Sequence, residues 1–232
     1  MRSLFLLLLF IPISLLGQGS FEKGESFFEL GKYEQAKTQF EKVIWQNPND
    51  LKALEYLGDI QCHIKQWDAA LPYYERLTIL KPREADYFYK YGGALGMKAK
   101  ESNKLQALAL IGDVKAAFEK TIALNPKHIG ARWALIEIYL QLPGIVGGSE
   151  KKAIRYSDEL TKISAVDGYL SRGHIEEYCK RYAKAEKQYK KAIETGHSLT
   201  TYQKLANLYQ YKMNQPEKAR QLLAVYNEKY KS

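Results

Sequence analysis

Apolar and polar positions along this chain recur with a period of 34 residues. The positions Gly24, Tyr33, Ala36, Phe40 and Pro48 return 34 residues later as Gly58, Trp67, Ala70, Tyr74 and Pro82. Five coincidences in one register indicate an internal repeat built from a pair of helices. The proline ends the second helix of each pair and turns the chain. Because no helical pair buries its apolar face alone, stability is expected to come from stacking successive pairs.

The repeat continues towards the C-terminus with two insertions. Phe118 occupies the position of Tyr74 but follows it by 44 residues instead of 34. About ten residues are therefore inserted, and we expect them to enlarge the turn between two paired helices, near Met97 to Gln106. A second enlarged turn is expected at Pro143 to Ser149, where proline and glycine interrupt the helical pattern.

The register predicts an all-α fold, a right-handed α-solenoid of about six helical hairpins and about twelve helices. We expect residues 20–232 to form one solenoid domain. Its six repeats are placed near residues 20–50, 51–84, 85–128, 129–165, 166–198 and 199–232.

Small residues recur where two helices of a pair must approach closely. They are Gly24, Gly58, Gly92, Gly173 and Ala206 on the first helices, and Ala36, Ala70, Ala153 and Ala185 on the second helices. A glycine inside a helix costs about 1 kcal/mol relative to alanine, so its recurrence in register implies a packing reason. The aromatic positions Phe40, Tyr74, Phe118 and Tyr189 are expected to fill the space between successive hairpins.

This pattern of Leu-Gly, alanine, aromatic residue and proline resembles the tetratricopeptide-repeat family. The enlarged PGIVGGS turn is similar to that of an exported bacterial subgroup of the family. The resemblance implies a scaffold or adaptor whose first helices, here called A helices, line a concave groove for a peptide or partner protein. The second helices are called B helices.

Transferring the groove positions by register marks a mildly acidic, aromatic set of residues on this chain. The set is Glu55, Asp59, His63, Tyr89, Trp133, Glu137, His174, Glu177, Tyr178, Asn207 and Tyr211. Aromatic side chains with a few polar groups are typical of binding surfaces. The alternative is that Trp133 and the tyrosines only pack against neighbouring helices.

One departure from the family restricts the partner. Members that bind chaperone tails use lysine and asparagine on an A helix to clamp a C-terminal carboxylate, whereas Glu55 and Asp59 stand at those two places here. The resemblance therefore implies no carboxylate clamp, and a neutral or basic partner segment.

The first residues are typical of a secretory signal peptide. Arg2 precedes an apolar run from Leu4 to Leu16, and small and polar residues follow it. We expect residues 1–19 to be a signal peptide, cleaved after Gly17 or Gly19, with retention as an anchor as the alternative. The mature chain is then periplasmic or secreted, in a Gram-negative bacterial envelope, and has no membrane span.

Charge leaves a second binding hypothesis open. The formal net charge is +9, and lysines are spread along almost every helix. Scattered charge of this kind favours a solvated surface over a nucleic-acid site, so no nucleic-acid partner is expected. An accessory subunit, or a binder of an anionic polymer or membrane surface through the basic exterior, is the alternative function. Self-assembly through the solenoid ends is a further one.

Catalytic and metal-binding motifs give no support for an enzyme. The chain has no HExxH, CxxC or phosphate-loop motif, so we predict no catalysis, cofactor or metal. A hydrolase, the less favoured alternative, needs convergent groups at His174, Glu177 and the Gly147 loop. In that loop, Gly147, Gly148 and Ser149 are weighed as an anion-binding nest against a structural turn in which Ser149 caps the next helix. Cys62 and Cys179 are expected to be free thiols.

Overall fold

The computed structural model describes residues 14–230 of the chain, and their side chains from residue 19 onwards. All regular structure within residues 14–230 is helical, comprising twelve α-helices, a short 3-10 turn and a π-helical segment. The expected signal peptide therefore lies largely outside the described residues. The first helix begins at Ser14 and runs through both expected cleavage positions, Gly17 and Gly19.

The chain divides into two compact units, with the boundary between Val114 and Lys115. The N-terminal unit contains α1 (Ser14–Glu29), α2 (Tyr33–Gln46), α3 (Leu51–His63), α4 (Trp67–Leu80), α5 (Ala85–Glu101) and the first half of α6 (Lys104–Leu124). The C-terminal unit contains the rest of α6, α7 (Ile129–Gln141), a 3-10 turn (Gly144–Val146), α8 (Glu150–Ile163), α9 (Ala165–Tyr178), α10 (Tyr182–Gly196), α11 (Leu199–Asn207), a π-helical segment (Leu208–Lys212) and α12 (Pro216–Tyr230).

Helices pack on their sequence neighbours within each unit. In the N-terminal unit each of α1 to α4 packs on the next helix along the chain, and the same holds from α7 to α12 in the C-terminal unit. Each predicted repeat contains one pair of helices, so odd-numbered helices are A helices and even-numbered ones are B helices. Within the described part of the chain, no helix has the length and apolar composition that a bilayer span requires.

In three of the repeats the aromatic residue of the B helix lies against the glycine of its own A helix. A Cβ on Gly24 would approach the Phe40 ring within 2.8 Å, and a Cβ on Gly58 would approach the Tyr74 ring within 2.6 Å. Gly173 and Tyr189 form the same pair. The expectation that these rings lie between hairpins was incomplete, because the rings of Phe40, Tyr74 and Tyr189 each pack inside their own hairpin. Phe40 also reaches the next repeat, where it stacks on Tyr56 at 4.6 Å.

The insertion near Met97 to Gln106 is helix, and its prediction as an enlarged turn was wrong. α5 continues to Glu101 and α6 begins at Lys104, so only two residues join them. α5 has 17 residues where α3 has 13, and α6 has 21 where α4 has 14. Eight of the ten inserted residues are of types that favour helix (three lysines, and one each of methionine, alanine, glutamate, leucine and glutamine), and the insertion lengthens both arms of the hairpin.

The second insertion is an irregular turn, as predicted. Pro143 ends the helical register after α7, and Gly147 adopts a positive φ of 94°. Gly148 is required sterically, because a Cβ there would overlap Leu142 O and lie 2.6 Å from the Leu142 carbonyl carbon. Ser149 then caps α8 by accepting a hydrogen bond from Lys152 N at 3.2 Å.

Candidate functional site

Polar contacts at equivalent repeat positions join neighbouring A helices of the N-terminal unit. Tyr56 OH of α3 donates to Glu25 Oε1 of α1 at 3.1 Å. Lys90 Nζ of α5 lies 2.6 Å from Asp59 Oδ2 of α3. Both contacts link adjacent repeats, and Tyr56 and Lys90 are themselves 34 residues apart. Equivalent repeat positions therefore place an acid of one A helix beside the next A helix.

A recess of about 250 Å³ opens on this surface, lined by Glu25, Lys52, Glu55, Tyr56 and Asp59. All five belong to A helices, Glu25 to α1 and the others to α3. Glu55 and Asp59, predicted for the groove by register, thus come together with three residues that the prediction omitted. Three acids, one lysine and one tyrosine line the recess.

Lys90 holds two of these acids. Its Nζ contacts Glu55 Oε1 at 2.7 Å as well as both oxygens of Asp59. Burial lowers the pKa of Lys90, but the hydrogen bonds to Asp59 and Glu55 outweigh burial and raise that pKa above its ordinary value. Tyr74 OH donates to Asp59 Oδ1 at 2.6 Å. Both carboxylate oxygens of Asp59 are therefore hydrogen-bonded within the chain, to Tyr74 and Lys90.

The other two expected groove residues of the N-terminal unit take different surroundings. His63 is exposed but stacks on Tyr33 with ring centroids 4.8 Å apart, near the turn between α1 and α2. Tyr89 is half-buried on α5. Neither lines the recess.

Trp133, Glu137 and His174 come together on α7 and α9 in the C-terminal unit. His174 Nε2 lies 2.7 Å from Glu137 Oε2. Trp133 Nε1 donates to Asp167 Oδ1 at 2.9 Å, and its ring lies 6.3 Å from that of His174. The direct packing of α7 on α9 brings these groups within reach of one another. Trp133 is half-buried, so part of its surface packs on the neighbouring core and part stays accessible.

Glu137 is the best-connected acid of this surface. It also accepts a hydrogen bond from Gln141 Nε2. The hydrogen bond with His174 lowers the pKa of Glu137, and partial burial opposes that effect without cancelling it. On α7 and α9 the polar groups of Trp133, Glu137 and His174 are therefore paired with groups of the chain itself.

The remaining predicted residues of this unit fall into two classes. Glu177 accepts a hydrogen bond from Tyr189 OH at 2.8 Å, so its carboxylate is held by the core tyrosine. Tyr178, Asn207 and Tyr211 are exposed, and the exposed fractions of the two tyrosines are 48% and 70%. The exposed residues Tyr178, Asn207 and Tyr211 offer contact area to a partner, whereas Glu177 does not.

The turn at Gly147, Gly148 and Ser149 is not an anion nest. Gly147 N donates to Gly144 O at 3.1 Å, Gly148 N to Pro143 O at 3.0 Å, and Ser149 N to Tyr139 O at 2.9 Å. All three amides are therefore used inside the turn, and Ser149 acts as a helix cap.

Within the described residues, no group of three or more histidine, cysteine or acidic side chains converges on a metal position. Cys62 and Cys179 are free thiols. Burial raises the pKa of both thiols, which makes each a weaker nucleophile at neutral pH.

The repeat register carried a signal for Glu25, one of the three recess residues that the prediction omitted, and for Lys90, which contacts two acids of the recess. Glu25 lies 34 residues before Asp59, so the register would have placed it in the groove had the first repeat been included. Lys90 lies 34 residues after Tyr56, which marks an equivalent position but does not reveal that a lysine there contacts two acids. Lys52 carries no such signal.

Comparison with known proteins supports the repeat architecture. Residues 21–85 and 166–195 match the tetratricopeptide repeat. A comparison with curated proteins gives no significant match. A tetratricopeptide-repeat protein from Parabacteroides merdae is 17% identical with a TM-score of 0.67, and the match covers 91% of this chain and 78% of that one.

Two further solved structures are similar. PilW, described as a widely conserved type IV pilus biogenesis factor, is 14% identical with a TM-score of 0.65, over 93% of this chain and 94% of that one. YrrB, described as a tetratricopeptide-repeat protein with an unusual peptide-binding site, is 15% identical with a TM-score of 0.54, over 78% and 87%. At these identities the likeness concerns the fold, and it confirms the all-helical prediction of hairpins paired as in such solenoids.

Proposed function

We propose that this chain, which carries tetratricopeptide repeats at residues 21–85 and 166–195, is a protein-interaction scaffold of the cell envelope that holds a basic segment of a partner protein. The recess between α1 and α3 is the observation that carries the proposal. It is concave and open, and two of its lining carboxylates, Glu25 and Glu55, can accept further hydrogen bonds.

Glu25 is the acid best placed to bind a partner. Its position relative to Phe40 along the chain is the same as that of Asp59 relative to Tyr74. Because Phe40 has no hydroxyl group, the core of the first repeat provides no counterpart to the hydrogen bond between Tyr74 and Asp59. Glu25 instead accepts one hydrogen bond from Tyr56. Burial and that hydrogen bond raise the pKa of Tyr56, so the tyrosine stays a neutral donor.

The chemistry of the recess is opposite to that of a carboxylate clamp. A C-terminal carboxylate placed against Glu25, Glu55 and Asp59 would meet like charges, which raises the free energy of the complex. A lysine or arginine side chain would instead exchange water for charge-assisted hydrogen bonds to Glu25 and Glu55. The aromatic ring of Tyr56 adds apolar contact for the aliphatic stem of such a side chain.

The solved structures support peptide binding only by analogy of fold. YrrB is described as having a peptide-binding site, and PilW as acting in pilus biogenesis. Envelope location rests on the apolar run from Leu4 to Leu16. Fractionation of cells that express the tagged chain with and without residues 1–19 tests it, and equal recovery in the cytoplasm would refute export.

Selection from a random peptide library on the purified chain tests the recess. We expect enrichment of peptides with lysine or arginine, and about tenfold weaker binding of those peptides to the Glu25→Gln/Glu55→Gln variant. The matched control is Glu41→Gln/Glu75→Gln, which removes two exposed acids from the B helices α2 and α4. The proposal fails if no peptide is enriched, or if both variants weaken binding equally.

A further inference from the structure

The hairpin formed by α5 and α6 ends in an exposed apolar surface. We call residues 97–108 the α5–α6 tip. Leu105 is 82% exposed, Leu108 is 43% exposed and Met97 is 36% exposed. Leu105 and Leu108 are separated by about one helical turn and therefore share a face of α6. Burying these side chains would be favourable, and the described chain does not bury them.

The tip is held in a defined conformation. Asn103 caps α6, its Oδ1 accepting hydrogen bonds from Leu105 N and Gln106 N at 3.1 Å each. Ser102 Oγ donates to Lys98 O at 2.8 Å. Trp67 Nε1, at the start of α4, donates to Glu101 Oε2 at 2.7 Å. α5 is thus tied to α4 up to its last residue, and the leucines follow beyond that anchor.

The charged side chains of the tip that are free in solvent are both lysines. The segment contains three lysines and one acid. Lys98 pairs with Asp68, and Glu101 binds Trp67, so one residue of each sign is turned back onto α4. Lys100 and Lys104 are exposed, and neither pairs with an acid within residues 19–230. The leucines therefore lie close to two solvated lysines.

We propose that the α5–α6 tip docks on the surface of an anionic phospholipid bilayer. Leu105 and Leu108 enter the boundary between headgroups and acyl chains, and Lys100 and Lys104 remain at the level of the lipid phosphates. Leucine at interfacial depth with flanking lysines is the arrangement that such binding requires. Each lysine near an anionic surface strengthens binding about fivefold. This surface is separate from the recess between α1 and α3.

The size of the tip favours a bilayer over a protein groove. A stable protein interface takes about 20 residues from each side, with aromatic anchors at its centre. The tip offers two leucines on one face of α6, one methionine near the end of α5, and no aromatic residue. A bilayer needs no matching shape, so a small fixed tip is sufficient for reversible binding.

Vesicle flotation of the full-length chain tests the proposal. Vesicles of phosphatidylcholine and phosphatidylglycerol, mixed at about two to one, are compared with pure phosphatidylcholine, and apparent partition coefficients are measured. We expect Leu105→Ser/Leu108→Ser to reduce partitioning onto the anionic vesicles about tenfold. Lys100→Gln/Lys104→Gln should reduce it about 25-fold at low salt, at about fivefold for each lysine, and much less at high salt, because salt screens the attraction.

Two control variants separate the tip from the rest of the chain. Ile145→Ser removes another exposed apolar side chain, 95% exposed in the α7–α8 turn. Lys218→Gln/Lys229→Gln removes two lysines from α12. Both should partition like the wild type. Every variant carries residues 1–13, so any contribution of that segment to binding is the same in each comparison. Circular dichroism checks that each variant keeps its helices.

Two results would overturn the inference. One is unchanged partitioning of the leucine variant, or a loss equal to that of the Ile145→Ser control. The other is a leucine-dependent contact with a partner protein in the envelope fraction while vesicle binding is unaffected, which would make the tip a protein-docking element.

Discussion

The two insertions lie at the same place in their repeats, between an A helix and a B helix, yet they fold differently. The insertion in the third repeat extends α5 and α6 and leaves two residues as the connection. The insertion in the fourth repeat adds an irregular turn with one 3-10 segment and a glycine at positive φ. Length alone therefore does not decide the outcome. Composition does, because the first insertion consists mainly of helix-forming residues such as lysine, glutamate and glutamine, whereas the second contains a proline and three glycines, which stop a helix.

Gly148→Ala is the strongest test of the irregular turn. The new Cβ would overlap Leu142 O, so the turn must open or α7 must end earlier. We expect a loss of about 3 kcal/mol in the free energy of unfolding, measured with urea. Gly93→Ala, on α5, has nothing within 4 Å of the new Cβ and serves as the control. A neutral Gly148→Ala would show that the turn has no fixed conformation.

Both insertions are followed by a helix whose first turn is capped by a side chain, and substitution of the caps tests whether this shared feature matters equally for the two helices. Asn103 caps α6 and Ser149 caps α8. Asn103→Ala and Ser149→Ala should each cost about 1 kcal/mol, because each leaves a backbone amide without its side-chain acceptor. Native-state hydrogen exchange of the first turn of each helix measures the loss. If only one cap matters, the two helix starts are stabilised differently.

Gly112→Ala and Gly147→Ala should change stability in opposite directions. Gly112 lies inside α6 with nothing within 4 Å of a new Cβ, so alanine should stabilise the chain by about 0.5–1 kcal/mol. Gly147 has a positive φ, so alanine there is strained and should cost about 1 kcal/mol. Urea unfolding of both variants compares them. Equal signs would contradict the placement of Gly112 inside a helix and of Gly147 in a left-handed turn conformation.

The smallest expected effect concerns pH. Glu150, the first residue of α8, pairs with Arg181 at 2.6 Å, and this hydrogen bond lowers the pKa of Glu150. The stabilisation is therefore present above the ordinary pKa of about 4.5 and is lost as pH falls through the lower folded value. Because Glu150 is 44% exposed, screening limits it to about 0.5 kcal/mol.

Hydrogen exchange of the start of α8 between pH 6 and pH 3 measures this effect. We expect faster opening as pH falls in the wild type, and a flatter profile in Glu150→Gln. An unchanged profile in the variant would show that Arg181 does not anchor the second insertion.

The repeat register was sufficient to predict the helical pairs and the close contacts of Gly24, Gly58 and Gly173. It also placed Glu55 and Asp59 on one surface. It could not predict that Lys90 would contact both acids, since these contacts depend on side-chain reach between two A helices. The register also places an insertion without giving its conformation, and the helix-forming composition of residues 97–106 was the evidence that should have decided it.

The core aromatic position has a consequence for how such a scaffold can diversify. The hydroxyl groups of Tyr74 and Tyr189 each donate a hydrogen bond to an acid of their own A helix, whereas Phe40 has no hydroxyl group. The presence or absence of the tyrosine hydroxyl thus determines whether the acid is hydrogen-bonded within its own hairpin or is available to a ligand. Exchange between phenylalanine and tyrosine at this position would let descendants of one repeat gain or lose a binding charge while the residues of the exposed surface stay unchanged.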